Sequence, residues 1–229
     1  FPTRRSSDLL MAYTCTHDQI GNRAAGDRPT DYLTPGQLAV SAALALLSPF
    51  TAMVFMGEEW AASTPFQFFT SHPEPHLAEA TRAGRKAEFA DHGWDPAAVP
   101  DPQDEATFAR SKLNWAERES DGHASMLSVY RDLIALRRNE PDLNDFWLDH
   151  MEVDFDEAAR WIVLYRGTLA IACNLAPDAV AVRQAGQRLG GEPGALDRAE
   201  RKHHDGLLGH GHATAVGLDG DHAPDRICP

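Results

Sequence analysis

The residues best placed to do chemistry are Thr16-His17-Asp18-Gln19-Ile20-Gly21-Asn22-Arg23. They follow an apolar run, Leu9-Leu10-Met11-Ala12-Tyr13, which reads as a buried strand leaving a core. An imidazole beside a carboxylate at the carboxyl end of such a strand sits where α/β barrels keep their reactive groups. Taken alone, a His-Asp pair also fits a surface turn. A second apolar run, Thr51-Ala52-Met53-Val54-Phe55-Met56, leads into Gly57-Glu58-Glu59-Trp60. A second strand with its own acidic pair turns the reading toward a site.

The element between the two runs sets their geometry. Thr34 and Gln37 form a capping box, and Pro35 occupies the first helical position, where its missing N–H costs nothing. Leu38, Ala42, Ala45 and Leu46 then share one face, and Pro49 stops the helix. Strand, helix, strand is a βαβ unit. Parallel strands share their carboxyl ends, so both loops should open on the same side. Further on, His76 to Ala90 reads as a helix, and Trp94 to Asp104, with Pro96, Pro100 and Pro102, as an extended loop. Ala124 to Asn139 is amphipathic, with Met126, Val129, Tyr130, Leu133 and Leu136 on one face, and Pro141 ends it. The period then changes: Trp161 to Arg166 and Leu169 to Leu175 flank Gly167-Thr168, a hairpin signal.

The words of the sequence carry a resemblance. His17 to Arg23 resembles the fourth conserved region of the α-amylase superfamily, glycoside hydrolase family thirteen, and Gly57-Glu58-Glu59 the end of its eighth barrel strand. The run Phe55 to Phe69, together with Gly84-Arg85-Lys86-Ala87-Glu88-Phe89 and Val99 to Asp104, resembles the malto-oligosyltrehalose trehalohydrolase subfamily. The likeness runs from about Leu9 to about Pro177. It implies an α/β fold: the carboxyl-terminal part, about strands seven and eight with their helices, of a (β/α)8 TIM barrel, followed by an incomplete β-sandwich.

The resemblance also implies roles. Retaining glycosidases use a carboxylate nucleophile and a carboxylic acid that protonates the leaving oxygen. Asp18 matches the superfamily's third aspartate, a stabiliser of the transition state. His17 would donate to a hydroxyl of the same sugar; Gln19 and Asn22 would read hydroxyls; Gly21 would let backbone approach the ligand. Ile20, Glu59 and Trp60 complete the expected substrate-binding set, with Glu59 orienting neighbours. The nucleophile and acid would lie on strands four and five, ahead of residue 1. The chain therefore reads as an enzyme fragment that is inactive alone. Superfamily members often carry Asn where this chain has Thr16. Aromatic rings at Trp60, Phe66, Phe68, Phe69, Trp94 and Trp115 are candidates to stack on sugars. An α-1,4-glucan branching enzyme fragment and a non-catalytic glucan-binding remnant are the rival readings.

Four segments follow: 1–8, a non-native leader; 9–146, barrel; 147–183, the start of a β domain; and 184–229, an atypical tail read as disordered or out of frame. The tail holds His203-His204-Asp205 and His210-Gly211-His212, but nothing nearby offers a packed scaffold, so no metal and no cofactor is expected. The 229 residues are 43% hydrophobic, enough for a core, and the formal net charge of −13 argues against nucleic acid and anionic membrane as partners. That charge suits a neutral sugar, malto-oligosyltrehalose or a related α-glucan. Cys15, Cys173 and Cys228 lack metal spacing, which points to a reducing cytoplasm.

Overall fold

The computed structural model describes residues 7, 9–91, 93–178 and 214–219. The described chain divides into two compact units. One gathers the described residues of Phe1–Ala12, Thr34–Met53 and Ser128–Pro229; the other comprises Tyr13–Leu33 and Val54–Leu127.

The first unit contains the βαβ unit. Strand β1 (Met11–Ala12) pairs in parallel with β2 (Thr51–Ala52), and helix α2 (Pro35–Leu47) connects them. Helix α1 (His17–Gly21), in the second unit, follows β1 in the chain. The capping box of α2 forms as expected: Gln37 N–H donates to Thr34 Oγ1 at 3.3 Å, and Thr34 N–H to Gln37 Oε1 at 3.0 Å. Burial on α2 is wider than one stripe, taking in Ala39, Val40, Ala43 and Leu47 as well as Ala42, Ala45 and Leu46. Small side chains make this possible, because alanines let neighbours approach on several sides.

Both strands are shorter than the apolar runs suggested. The ladder extends only through Thr51 N–H to Leu10 O and Met53 N–H to Ala12 O. Beyond Ala12 the chain turns into the cap of α1, so Val54 to Met56 has no strand partner. The first run is also not buried: Leu9 is 83% exposed, and Leu10, Met11 and Tyr13 are exposed too. Apolar composition argued for a covered strand, and among the described residues no layer covers it.

Arg137, on helix α5 (Asp121–Asn139), anchors the end of α2. Its guanidinium donates to Leu46 O, to Ser48 O at 3.1 Å and to Phe50 O at 2.7 Å. Leu46 O and Ser48 O stand at the helix end without a partner inside it, Phe50 O just beyond, and a half-buried cation suits the negative end of the dipole. Met126, Val129, Tyr130 and Leu133 of α5 are buried, as their spacing predicts, while Leu136 is half-buried.

A mixed four-stranded sheet follows. Its order is β3 (Met151–Asp156), β4 (Trp161–Arg166), β5 (Leu169–Asn174), β6 (Thr214–Asp219). The expected hairpin is β4–β5, with Arg166 opposite Leu169 across a two-residue turn. Gly167 takes φ +56°, and Asp142 accepts from Thr168 N–H and Oγ1, both at 2.7 Å, which tethers the turn. Strand β3 was not singled out in the sequence, although Met151, Val153 and Phe155 alternate with Glu152, Asp154 and Asp156 at the period of a strand. Strand β6 runs parallel to β5 and falls inside 184–229, the segment read as disordered or out of frame. The His203 to His212 cluster and the leader residues 1–6 and 8 lie outside the described residues. Among the described residues no helix is long and apolar enough to cross a membrane.

Candidate functional site

All the groups that carry the expected chemistry lie in the second unit. His17 and Asp18 open α1, a helix of five residues. Thr16 is its N-cap: the hydroxyl accepts from Asp18 N–H at 3.1 Å, and Gln19 Oε1 accepts from Thr16 N–H at 2.8 Å. This reciprocal box satisfies two otherwise unpaired donors. Thr at position 16 is therefore a local folding signal, whatever else it does. The segment was expected to be an open loop; the cap makes it a helical turn.

The box changes the reading of Gln19. Its side-chain oxygen is engaged with backbone, which leaves it poorly placed to read a sugar hydroxyl. His17 and Asp18 point the other way: Nε2 lies 3.1 Å from Oδ1, and the two side chains are 68% and 73% exposed. Asn22, at the carboxyl end, is exposed, and its backbone N–H bonds Asp18 O at 3.0 Å. Ile20 is 1% exposed, so it packs inward and presents nothing to a ligand. Gly21 is buried against Phe66 and takes no positive φ; an added Cβ would lie 3.9 Å from the ring, an ordinary contact. The expectation that Gly21 admits a ligand to backbone has no counterpart in this packing.

The second acidic pair sits on a 3-10 turn, Glu58–Trp60, launched by Gly57 at φ +89°. Here glycine is required. A Cβ would stand 2.7 Å from Leu113 Cδ2 and 2.8 Å from Ala62 Cβ. Glu59, the residue singled out in the sequence, accepts from Gly57 N–H at 2.9 Å. Its neighbour Glu58, missed there, does more. Glu58 Oε1 accepts from Thr14 Oγ1 at 3.0 Å, and Oε2 accepts from Phe55 N–H at 2.9 Å and from the Cys15 thiol at 3.4 Å. One carboxylate thus ties the approach to α1 to the approach to Gly57. Burial, and then the charge of Glu58, push the Cys15 thiol up to about 11.

Trp60 is 1% exposed and is a brace rather than a platform for sugar. Its Nε1–H donates to Glu117 Oε1 at 3.0 Å, its carbonyl lies 2.8 Å from His123 Nδ1, and Trp115 packs on it at 5.1 Å. Ser63 adds an N–H and a hydroxyl to Glu117, at 3.2 and 2.7 Å. Burial opposes ionisation of Glu117, but these donors outweigh it and hold its carboxyl below the usual value. Of the other aromatic candidates, Phe66 and Phe69 belong to an edge-to-face series running Phe55, Phe66, Phe69, Phe108. Phe68, Trp94 and Trp115 keep exposed faces.

Two buried arginines frame the site, and neither was anticipated. Arg28 Nε–H donates to Thr64 O at 2.5 Å and Nη1–H to Met56 O at 2.9 Å, which pins both sides of the Glu58–Trp60 turn. Burial lowers its pKa. Arg85, on helix α3 (Pro75–Asp91), donates through Nη2 to Gly21 O and, at 3.3 Å, to Arg23 O. Arg85 belongs to the Gly84–Phe89 word of the subfamily resemblance, so the signal was present without a role attached. Among the described residues no group of three or more His, Cys, Asp or Glu is arranged to hold a metal ion.

Comparisons with known proteins bear on what this arrangement serves. A family profile described as "Domain of unknown function (DUF3459)" matches residues 147–216. A malto-oligosyltrehalose trehalohydrolase of Mycobacterium tuberculosis (strain CDC 1551 / Oshkosh) is 65% identical over 178 residues, 78% of this chain and 31% of that protein. One from Arthrobacter ramosus is 56% identical over 177 residues, 77% and 30%. One from Deinococcus radiodurans is 42% identical over 210 residues, 88% and 34%. A crystal structure from Salmonella typhimurium, named as a candidate alpha amylase, superposes with a TM-score of 0.66 at 35% identity over 75% of this chain and 30% of its own. Over the stretch these alignments cover, the chain is similar to malto-oligosyltrehalose trehalohydrolases and to an alpha-amylase-like structure, and it spans about a third of the length of these curated relatives.

Proposed function

We propose that this chain supplies one side of the substrate site of a trehalose-releasing glycoside hydrolase. The whole enzyme would cleave the α-1,4 bond joining a terminal trehalose unit to the rest of malto-oligosyltrehalose. In this reading β1 and β2 correspond to strands seven and eight of a (β/α)8 barrel, and the β3–β6 sheet to the start of the carboxyl-terminal domain. The observation that carries it is the His17–Asp18 pair, solvent-exposed on a helix capped at one end and clamped at the other.

Asp18 would accept hydrogen bonds from hydroxyls of the sugar next to the scissile bond. Its negative charge favours the positive charge that develops on an oxocarbenium-like ring, an interaction stronger in the transition state than in the ground state. His17 would donate to a hydroxyl of the same sugar. Nucleophile and general acid would be two further carboxylates of the complete enzyme, outside this chain. Asn22 remains a candidate contact; Ile20, Gly21 and Trp60 act by packing, and Gln19 and Glu59 through backbone they hold.

The shared identity of the relatives, and the run Trp60 to Phe69, favour trehalose release over branch formation. The test is steady-state kinetics on a full-length enzyme carrying this segment. Asp18→Asn removes a charge-assisted contact weighted toward the transition state, commonly about 3–4 kcal/mol, so kcat should fall about a hundred-fold or more with KM changed far less. Parental kcat in Asp18→Asn refutes the assignment. New α-1,6 branches in place of free trehalose would establish the branching alternative.

A further inference from the structure

We infer that Arg85 is a positioning residue: it locks the carboxyl end of α1 and thereby fixes the direction in which Asp18 is presented. The inference rests on the proposed role of Asp18. A five-residue helix has too few internal hydrogen bonds to hold its own orientation. The cap at Thr16 closes one end only. At the other end Gly21 O needs a donor, which Arg85 Nη2 supplies; the same nitrogen reaches Arg23 O at 3.3 Å, just past the helix, where Gly26 N–H also donates at 3.1 Å. The cation also lies at the negative end of the helix, where it is favourable.

The clamp is itself rigid. The Arg85 guanidinium is enclosed by two rings, Phe68 at 4.8 Å and Phe89 at 4.5 Å, with Glu88 at 3.7 Å. The residue is 7% exposed. Phe89 in turn packs with Ala24 and Val99. Of the residues of helix α3 only Arg85 and Phe89 are buried; the rest are exposed or half-buried. A helix that buries little else is thus attached to the site through the two residues that make the clamp. Lysine cannot replace arginine here, because an ammonium offers neither a planar face to two rings nor the forked donor geometry.

The test uses Arg85→Lys in a full-length enzyme carrying this segment, with Arg137→Lys as its match. Arg137 is also a guanidinium that closes a helix end, half-buried where Arg85 is buried, but that helix is α2. Arg85→Lys should lower kcat at least ten-fold with KM within about three-fold, and add nothing to the loss already caused by Asp18→Asn. Amide exchange at residues 19–23, measured on the chain itself, should quicken about ten-fold in Arg85→Lys and not in Arg137→Lys. Phe68→Leu, which removes one ring and tolerates its half-exposed site, should give a smaller loss of the same kind if Arg85→Lys does not fold. Arg85→Lys within two-fold of parental kcat overturns the inference. So does an equal loss in Arg137→Lys, or a full further loss in the Asp18→Asn background. Parental kcat in Asp18→Asn instead overturns the functional reading, and amide exchange then decides by itself whether Arg85 holds α1.

Discussion

Replacing Glu58 and Glu59 by alanine, one at a time, should separate two adjacent carboxylates that the sequence does not distinguish. Glu58 accepts from Phe55 N–H at 2.9 Å, Thr14 Oγ1 at 3.0 Å and the Cys15 thiol at 3.4 Å. Glu59 accepts from Gly57 N–H at 2.9 Å. A hydrogen bond to a charged group contributes roughly 1.5–3 kcal/mol, and a thiol donor adds little. Glu58 is half-buried, so water replaces part of what is lost. Glu58→Ala should therefore cost about 2–4 kcal/mol and Glu59→Ala about 1 kcal/mol, read as shifts in urea midpoint at constant slope. A second readout follows from the thiol. Burial and then Glu58 raise the Cys15 pKa to about 11. Glu58→Ala removes the second cause and leaves the first, so the pKa falls part of the way and Cys15 reacts faster with a thiol reagent. Glu59→Ala should leave that rate unchanged. Greater destabilisation by Glu59→Ala, or equal thiol rates in the two variants, would show that Glu58 does not join the two approaches.

Gly57→Ala should destabilise by about 2–4 kcal/mol in the same assay, because it combines a left-handed backbone with two contacts below 3.0 Å. Glu117 has a folded pKa below its ordinary value of 4.5, so its contribution is complete above that pH and is lost as pH falls through the lower folded value. Thermal melts of the parent should decline more steeply below pH 4.5 than those of Glu117→Gln. Cys173, fully buried and pushed up to about 12, should react only after unfolding, which thiol titration with and without denaturant will show. In the proposed reading Asp18 is one of three carboxylates the chemistry needs, so the purified chain should release no trehalose from malto-oligosyltrehalose; turnover above a buffer blank contradicts this.

Local signals in the sequence were sufficient for α2 and for the β4–β5 turn, where the physics is local; the equally local Thr16–Gln19 cap of α1 was not read. Thr34, Pro35 and Gln37 start α2, and Pro49 stops it, because caps and proline act within a turn of the chain. Gly167-Thr168 closes β4–β5 for the same reason. His17 and Asp18 stood out as a pair because a short polar word after an apolar run is read residue by residue. The order strand, helix, strand also came from pattern, and with it the expectation that both loops face one way.

What the sequence could not decide was which of several suitable residues meet in space. Glu58 and Glu59 are chemically identical neighbours; only the 3-10 turn after Gly57 sends one toward Thr14 and Cys15 and the other back to its own backbone. Trp60 looked like a sugar platform until Glu117, 57 positions away, was seen to hold its indole N–H. Ile20 shares the His-Asp word but is turned inward by the helical period that turns Asp18 outward. Arg85 lies 64 residues from the carbonyl it clamps. Burial and hydrogen-bond partnership depend on contacts between distant segments, and those contacts exist only once the chain has folded.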